Sequence, residues 1–144
     1  MIDFIKINVN NLDVNELEVN SLLDFLLTVN TKTGEVNPFT SAYYRGLEFK
    51  VYEPTQKTDY KRVTVEGSLH KYWNNGAHNF NDFGIVEVNQ VVNNLYNDFK
   101  IETDNCTIRQ LEIGVNINPP IITKKVLKAC LKYKTKDIKW VHTG

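Results

Sequence analysis

Two neighbouring runs commit this chain to an antiparallel sheet. YYRGLEFKVYE (residues 43–53) is dense in aromatic and β-branched residues, and YKRVTVEGS (residues 60–68) repeats the pattern after the short polar stretch PTQKTD. Alternation at this spacing predicts a strand, a tight loop and a hairpin partner. Lys57, Lys61 and Arg62 fall on or beside the hairpin tip. Further strands are predicted at residues 4–9, at 24–30 running into a turn at Gly34, at 107–117 until Pro119-Pro120, and at 137–143.

The helical signals are fewer. Residues 12–23 read as a short helix or turn, and residues 73–84, rich in asparagine and glycine, as a loop. Residues 83–99 carry the best helical pattern, with Ile85, Val88, Val92, Leu95 and Phe99 recurring at three- and four-residue steps. Residues 121–133 form the second predicted helix, with Val126, Leu127, Cys130 and Leu131 inward and lysines outward. The order predicts one α+β domain over residues 1–144: an antiparallel sheet of about five strands with two helices on one face.

Composition narrows the function classes. Hydrophobic residues make up 42% of 144 positions, enough for a core, so wholesale disorder is excluded. The start lacks the basic and apolar regions of a secretory signal, and no apolar run approaches the ~20 residues a membrane-spanning helix needs. The expectation is a protein of the cytoplasm with no membrane partner. Cys106 and Cys130 are too few for a disulfide framework or a four-thiolate zinc site, and neither has a nearby histidine to activate it.

Net charge is zero but unevenly laid out. Residues 1–40 and 72–123 each carry −4, residues 41–71 carry +2, and residues 124–144 carry +6. That last stretch holds Lys124, Lys125, Lys128, Lys132, Lys134, Lys136 and Lys139 against the single acid Asp137. Such an end is either a footprint for phosphate or an acidic surface, or simply a solvated lysine face. Lysine outnumbers arginine 14 to 3, which argues against finely specific base readout, since arginine is the bidentate reader.

Alternation along residues 107–117 sorts side chains into two sets. Thr107, Arg109, Leu111, Ile113, Val115 and Ile117 form a mainly apolar set that can pack on helices. Ile108, Gln110, Glu112, Gly114 and Asn116 form a polar set that is either a site or an ordinary solvated sheet face. The rings of Tyr43, Tyr44, Phe49 and Tyr52, interleaved with Arg45 and Lys50, can stack bases beside phosphates, although strand aromatics are more often core.

Arg109-Gln110-Leu111-Glu112-Ile113-Gly114-Val115-Asn116 resembles the arginine-x-aliphatic-acid strand of rolling-circle replication initiators, the Rep proteins of plasmids and phages. Upstream, Val65-Glu66-Gly67-Ser68-Leu69-His70-Lys71-Tyr72-Trp73, with Gly76, Asn79 and Asp82-Phe83, resembles a block of phage and plasmid replication proteins. The resemblance implies a Rep-nickase-like sheet bearing a divalent-metal site and a tyrosine that attacks a DNA phosphate, with the acidic position falling on Glu112. The chain departs from that pattern. His70, His78 and His142 are too widely spaced for a His-hydrophobic-His pair, and the catalytic tyrosine is expected beyond Gly144.

The resulting expectation is a Rep-like chain cut short of its chemistry, with no catalytic residue and no cofactor. Mg²⁺ or Mn²⁺ would matter only for a residual nickase, with Glu112 a weak candidate ligand and His70 its conceivable companion. Gln110, Glu112, Asn116 and His70 form the expected remnant site face. Lys57, Lys61, Arg62, Lys124, Lys125, Lys128, Lys132, Lys134 and Lys136 are the expected contacts to nucleic acid or a partner. Two functions follow. The first is an anti-CRISPR type of inhibitor that binds a host RNA-guided nuclease complex. The second is a replication initiation protein, or its part that recognises single-stranded or origin DNA. A plain protein-binding domain is the third option, and salt sensitivity distinguishes it.

Overall fold

The computed structural model describes residues 2–114, Lys125, and the strand positions Lys132, Tyr133, Lys136 and Asp137. Six strands form one antiparallel sheet in the order β2-β3-β4-β5-β1-β6. They are β1 (Ile2–Val9), β2 (Leu26–Val29), β3 (Val36–Tyr44), β4 (Leu47–Tyr52), β5 (Arg62–Gly67) and β6 (Cys106–Ile113). Helices α1 (Val14–Glu18), α2 (Leu69–Trp73) and α3 (Ile85–Phe99) accompany it. The architecture is α+β, with one strand more than the sequence predicts. Among the described residues no helix is long and apolar enough to cross a membrane.

The added strand, β3, lies mostly upstream of the predicted one and takes only its first two residues, Tyr43 and Tyr44. Residues 43–53 do not run straight: Arg45 and Gly46, at φ 49° and 86°, turn the chain back between β3 and β4. Two positive φ values in a two-residue loop give the tight turn whose twist suits a hairpin. A Cβ on Gly46 would stand 2.7 Å from Lys71 Cβ, so glycine is required there for space as well as conformation. Gly67 ends β5 at φ 142°, where a side chain would collide with the Gly46 carbonyl. The predicted pairing of β4 with residues 60–68 holds over Leu47–Gly67 to Tyr52–Arg62.

Helix ends are capped by short polar groups. The Asp13 carboxylate accepts from the Asn15 and Glu16 N–H groups at 2.9 and 3.3 Å, and Ser68 Oγ accepts from Lys71 N–H at 3.3 Å. Ser68 thereby starts α2, a helix the loop-like composition downstream conceals. On α3 the buried positions are Val91, Leu95 and Phe99, whereas Ile85 is exposed. Val88 also packs against the core and Val92 is half-buried, so the predicted inward stripe departs from the structure chiefly at its first member, Ile85.

The core lies on one side of the sheet. Phe49, Val51, Val63, Val65 and Leu47 point to the helices, and each is at most 2% exposed. The Phe99 ring meets Phe49 at 4.8 Å and Tyr44 at 5.6 Å between centroids. Tyr72, buried beside them, donates its hydroxyl to Asp98 at 3.3 Å.

The edge strand β6 corrects a second expectation. Register pairs Ile7 with Ile108 and Ile5 with Leu111, so a bulge at Arg109 interrupts strict alternation. Ile108 joins Leu111 on the helix side, and Thr107 moves to the other side beside Asn8. Residues 115–117, the bulk of the predicted second helix and of the last strand lie outside the described residues. Lys132–Tyr133, predicted helical, pair antiparallel with Lys136–Asp137 as two short strands, β7 and β8.

Candidate functional site

The sheet's second face carries no helix among the described residues, and register arranges its polar side chains in rows. One row runs Thr107, Asn8, Thr64, Lys50 and Ser41 across β6, β1, β5, β4 and β3. The next runs Gln110, Lys6, Glu66, Glu48 and Tyr43, and a third holds Arg62, Tyr52 and Phe39. In the third row the Arg62 guanidinium lies 5.3 Å over the Tyr52 ring, which meets Phe39 at 5.1 Å. Lys50 Nζ lies 5.2 Å from the centre of the Phe39 ring. Tyr43 is 72% exposed on the same face.

The centre of this face is a network of four charges. Lys50 Nζ bonds Glu66 at 2.6 Å and Glu48 at 3.0 Å, while Lys6 Nζ reaches the other Glu66 oxygen at 2.7 Å. Burial raises the Glu66 carboxyl, but the bonds to Lys50 and Lys6 outweigh it and hold the group below the usual carboxylate range. Burial likewise lowers the Lys50 ammonium, and Glu66 and Glu48 outweigh that effect, leaving it above its ordinary value. The hydrogen bond that the Tyr43 hydroxyl donates to Glu48 raises it, opposite to the shift that activates a phenol as a nucleophile.

A cleft of about 500 Å³ continues the face past the ends of β1 and β5, lined by Asn8, Asn10, Asn11, Tyr60, Arg62 and Thr64 among others. Thr64 Oγ1 is buried there and finds no hydrogen-bond partner among the described residues. A buried hydroxyl in that state is satisfied by water or by a ligand.

The residues expected from sequence divide between the two sides. Gln110 and Glu112 are exposed on β6 and bond each other at 2.7 Å. His70 is fully buried on the helix side, its Nε2 2.6 Å from Asn81 Oδ1 and its ring stacked on Phe83 at 4.7 Å. His70 and Glu112 are therefore not brought together, because α2 packs on the side from which Glu112 points away. Among the described residues no group of three or more His, Cys, Asp or Glu side chains is placed to hold a metal ion.

Arg62 joins the ring row, while Lys61 is held by both Glu18 oxygens at 3.0 Å and by Glu53 at 3.4 Å. Lys57 is exposed in the loop between β4 and β5, and Lys125 is exposed. Asn116, Lys124, Lys128 and Lys134 lie outside the described residues, and Lys132 and Lys136 are described as strand positions only.

Sequence reasoning missed Lys6, Asn8, Phe39, Glu48, Thr64 and Glu66 as neighbours. Their signal was present as the polar half of each alternating strand, but adjacency across strands needs the register. Phe49 and Tyr44 prove to be core rings, and Tyr52 the stacking-competent one. Compared with protein-family models, with curated proteins and with solved structures, the chain matches none.

Proposed function

We propose that this chain is a non-catalytic binding protein of a phage or other mobile element, descended from a Rep-type initiator and acting in the bacterial cytoplasm. It holds unpaired nucleic acid on the open sheet face, and as an anti-CRISPR type of inhibitor it does so within a host RNA-guided nuclease complex. The observation that carries this reading is the row Arg62–Tyr52–Phe39: two rings in contact for stacking, with the Arg62 guanidinium over one of them for a phosphate. The adjoining cleft, lined in part by Asn8, Asn10 and Asn11, supplies amide groups for a base edge.

The test is an anisotropy titration of labelled single-stranded DNA and RNA at two salt concentrations. Binding should weaken as salt rises, and Tyr52→Ala should weaken it by about tenfold or more, since stacking on one ring contributes about 1–3 kcal/mol. Absence of binding to free strands and to a guide-loaded nuclease sinks the reading.

A second reading, a replication initiator or its DNA-binding part, is favoured by one observation: Tyr43 is an exposed tyrosine on the open face. Supercoiled DNA with Mn²⁺ discriminates. Our primary reading predicts that it stays uncut, whereas cutting that is lost in Tyr43→Phe or Glu112→Ala would give the protein to the second.

A further inference from the structure

Strands β1 and β5 part beyond their last rung, Val9 with Val63. Asn11, at φ 55°, turns the chain out of β1 towards the Asp13 cap of α1, a left-handed position that asparagine adopts more readily than most residues. The Asn10 N–H donates to the Asn105 carbonyl at 2.8 Å and holds this stretch towards the start of β6. Lys61, on the other side, is drawn to Glu18 and Glu53. The gap between them is the cleft of about 500 Å³ beside the polar face, the size of a small-molecule site.

The lining mixes three kinds of surface. Leu12 and Val14, packed partly buried against the core, are apolar, and Tyr60, 62% exposed, adds a ring. Asn8, Asn10 and Asn11 supply amides. The Asn11 amide donates to Asn105 at 3.4 Å, whereas the Asn8 and Asn10 side chains have no hydrogen-bond partner among the described residues. Lys61 is neutralised by its carboxylates, and the Arg62 guanidinium stands at the junction with the ring row, over Tyr52. An apolar, aromatic and amide-lined interior with a cation at its edge suits a nucleobase inside and its phosphate outside.

We propose that the cleft seats one unpaired adenine of a strand held on the open face, an inference that rests on the reading of that face as a single-strand platform. The reader is Asn8, a strand residue fixed by register between Thr64 and Thr107. Its amide matches adenine bidentately, the carbonyl accepting from the N6 amino group and the NH₂ donating to N7. Guanine presents two acceptors on that edge and is matched by arginine or lysine. Here Arg62 is turned to Tyr52 and Lys61 to Glu18 and Glu53.

The test is anisotropy of a short labelled oligothymidylate with and without one central adenine. The adenine should tighten binding by about fivefold or more. Asn8→Ala should bring the two strands to within about twofold of each other, and leave the oligothymidylate within about twofold of its original affinity. In the unsubstituted chain, 7-deazaadenine, which lacks the N7 acceptor, should lose the preference too, a readout that needs no variant to fold. Tyr52→Ala should weaken both strands by the same factor. Equal affinity of the unsubstituted chain for both strands, each still weakened by Tyr52→Ala, would overturn the inference and leave the open-face reading standing. A preference that survives Asn8→Ala, or a stronger one for guanine or cytosine at the same position, would overturn it as well. No binding of either strand would remove the reading and the inference together.

Discussion

The two faces of the sheet are built from the same alternating strands and have opposite physics. Towards the helices, Leu47, Phe49, Val51, Val63 and Val65 give up all contact with water and hold Phe99 and Tyr72. Towards the open side, Glu48, Lys50, Tyr52, Arg62, Thr64 and Glu66 come from the same two strands, β4 and β5. The first face repays burial directly, at about 25 cal/mol per Å² of apolar surface. The second holds half-buried charges whose attraction does little more than offset their desolvation. A face with little stability to gain from its residue choice leaves that choice free, and it is this face that we propose for binding.

That contrast is broken most easily from the helix side. Phe49→Ala should cost about 3–5 kcal/mol of stability in urea unfolding, the range for emptying a closed aromatic core. A smaller loss would mean that the core around Phe99 collapses to fill the space.

The charge network is the next largest effect. Lys50 and Glu66 keep only 13% and 17% of their side chains exposed, so Glu66→Gln should cost about 2 kcal/mol by leaving Lys50 and Lys6 short of a partner. The pH dependence follows from the shifts. Glu66, held low in the fold, contributes stability above the ordinary carboxylate range, which is lost as pH falls through its lowered value. Lys50, held high, contributes below the ordinary lysine range, and this is lost as pH rises through its raised value. The acid limb of the stability profile below about pH 4 should therefore flatten in Glu66→Gln. An unchanged limb would place the acid transition elsewhere.

On the open face itself, stability and binding should separate. Tyr52→Ala should lower stability by about 1 kcal/mol or less while removing most of the oligonucleotide affinity. Glu112→Ala, at the exposed edge where the carboxylate accepts from Gln110, should change stability by about 0.5 kcal/mol or less in a thermal melt. A larger loss there would mean that the edge of β6 is held through Glu112.

How much of this could be read from the sequence depended on the kind of pattern. The α+β class, the β4–β5 hairpin and α3 were legible because each rests on local periodicity. The β3–β4 turn was not, because Arg45-Gly46 sits inside a run whose aromatic and β-branched content reads as continuous strand. The bulge at Arg109 was equally hidden: one extra residue exchanges the sides of Thr107 and Ile108, and only pairing with β1 reveals it. The merely conceivable pairing of His70 with Glu112 is not formed, for a tertiary reason. Ser68 starts α2 and carries His70 under Phe83, on the side away from Glu112. The ring row was half visible, since Tyr52 was noted while Phe39 and Arg62 became its neighbours only through register.

The most direct test of the division between the faces is a map of backbone amide shifts on adding a short single-stranded oligonucleotide. The account predicts perturbations concentrated at Phe39, Lys50, Tyr52, Arg62 and Thr64, with α3 unmoved. Perturbations confined to α3 and β6, with the open face silent, would contradict it.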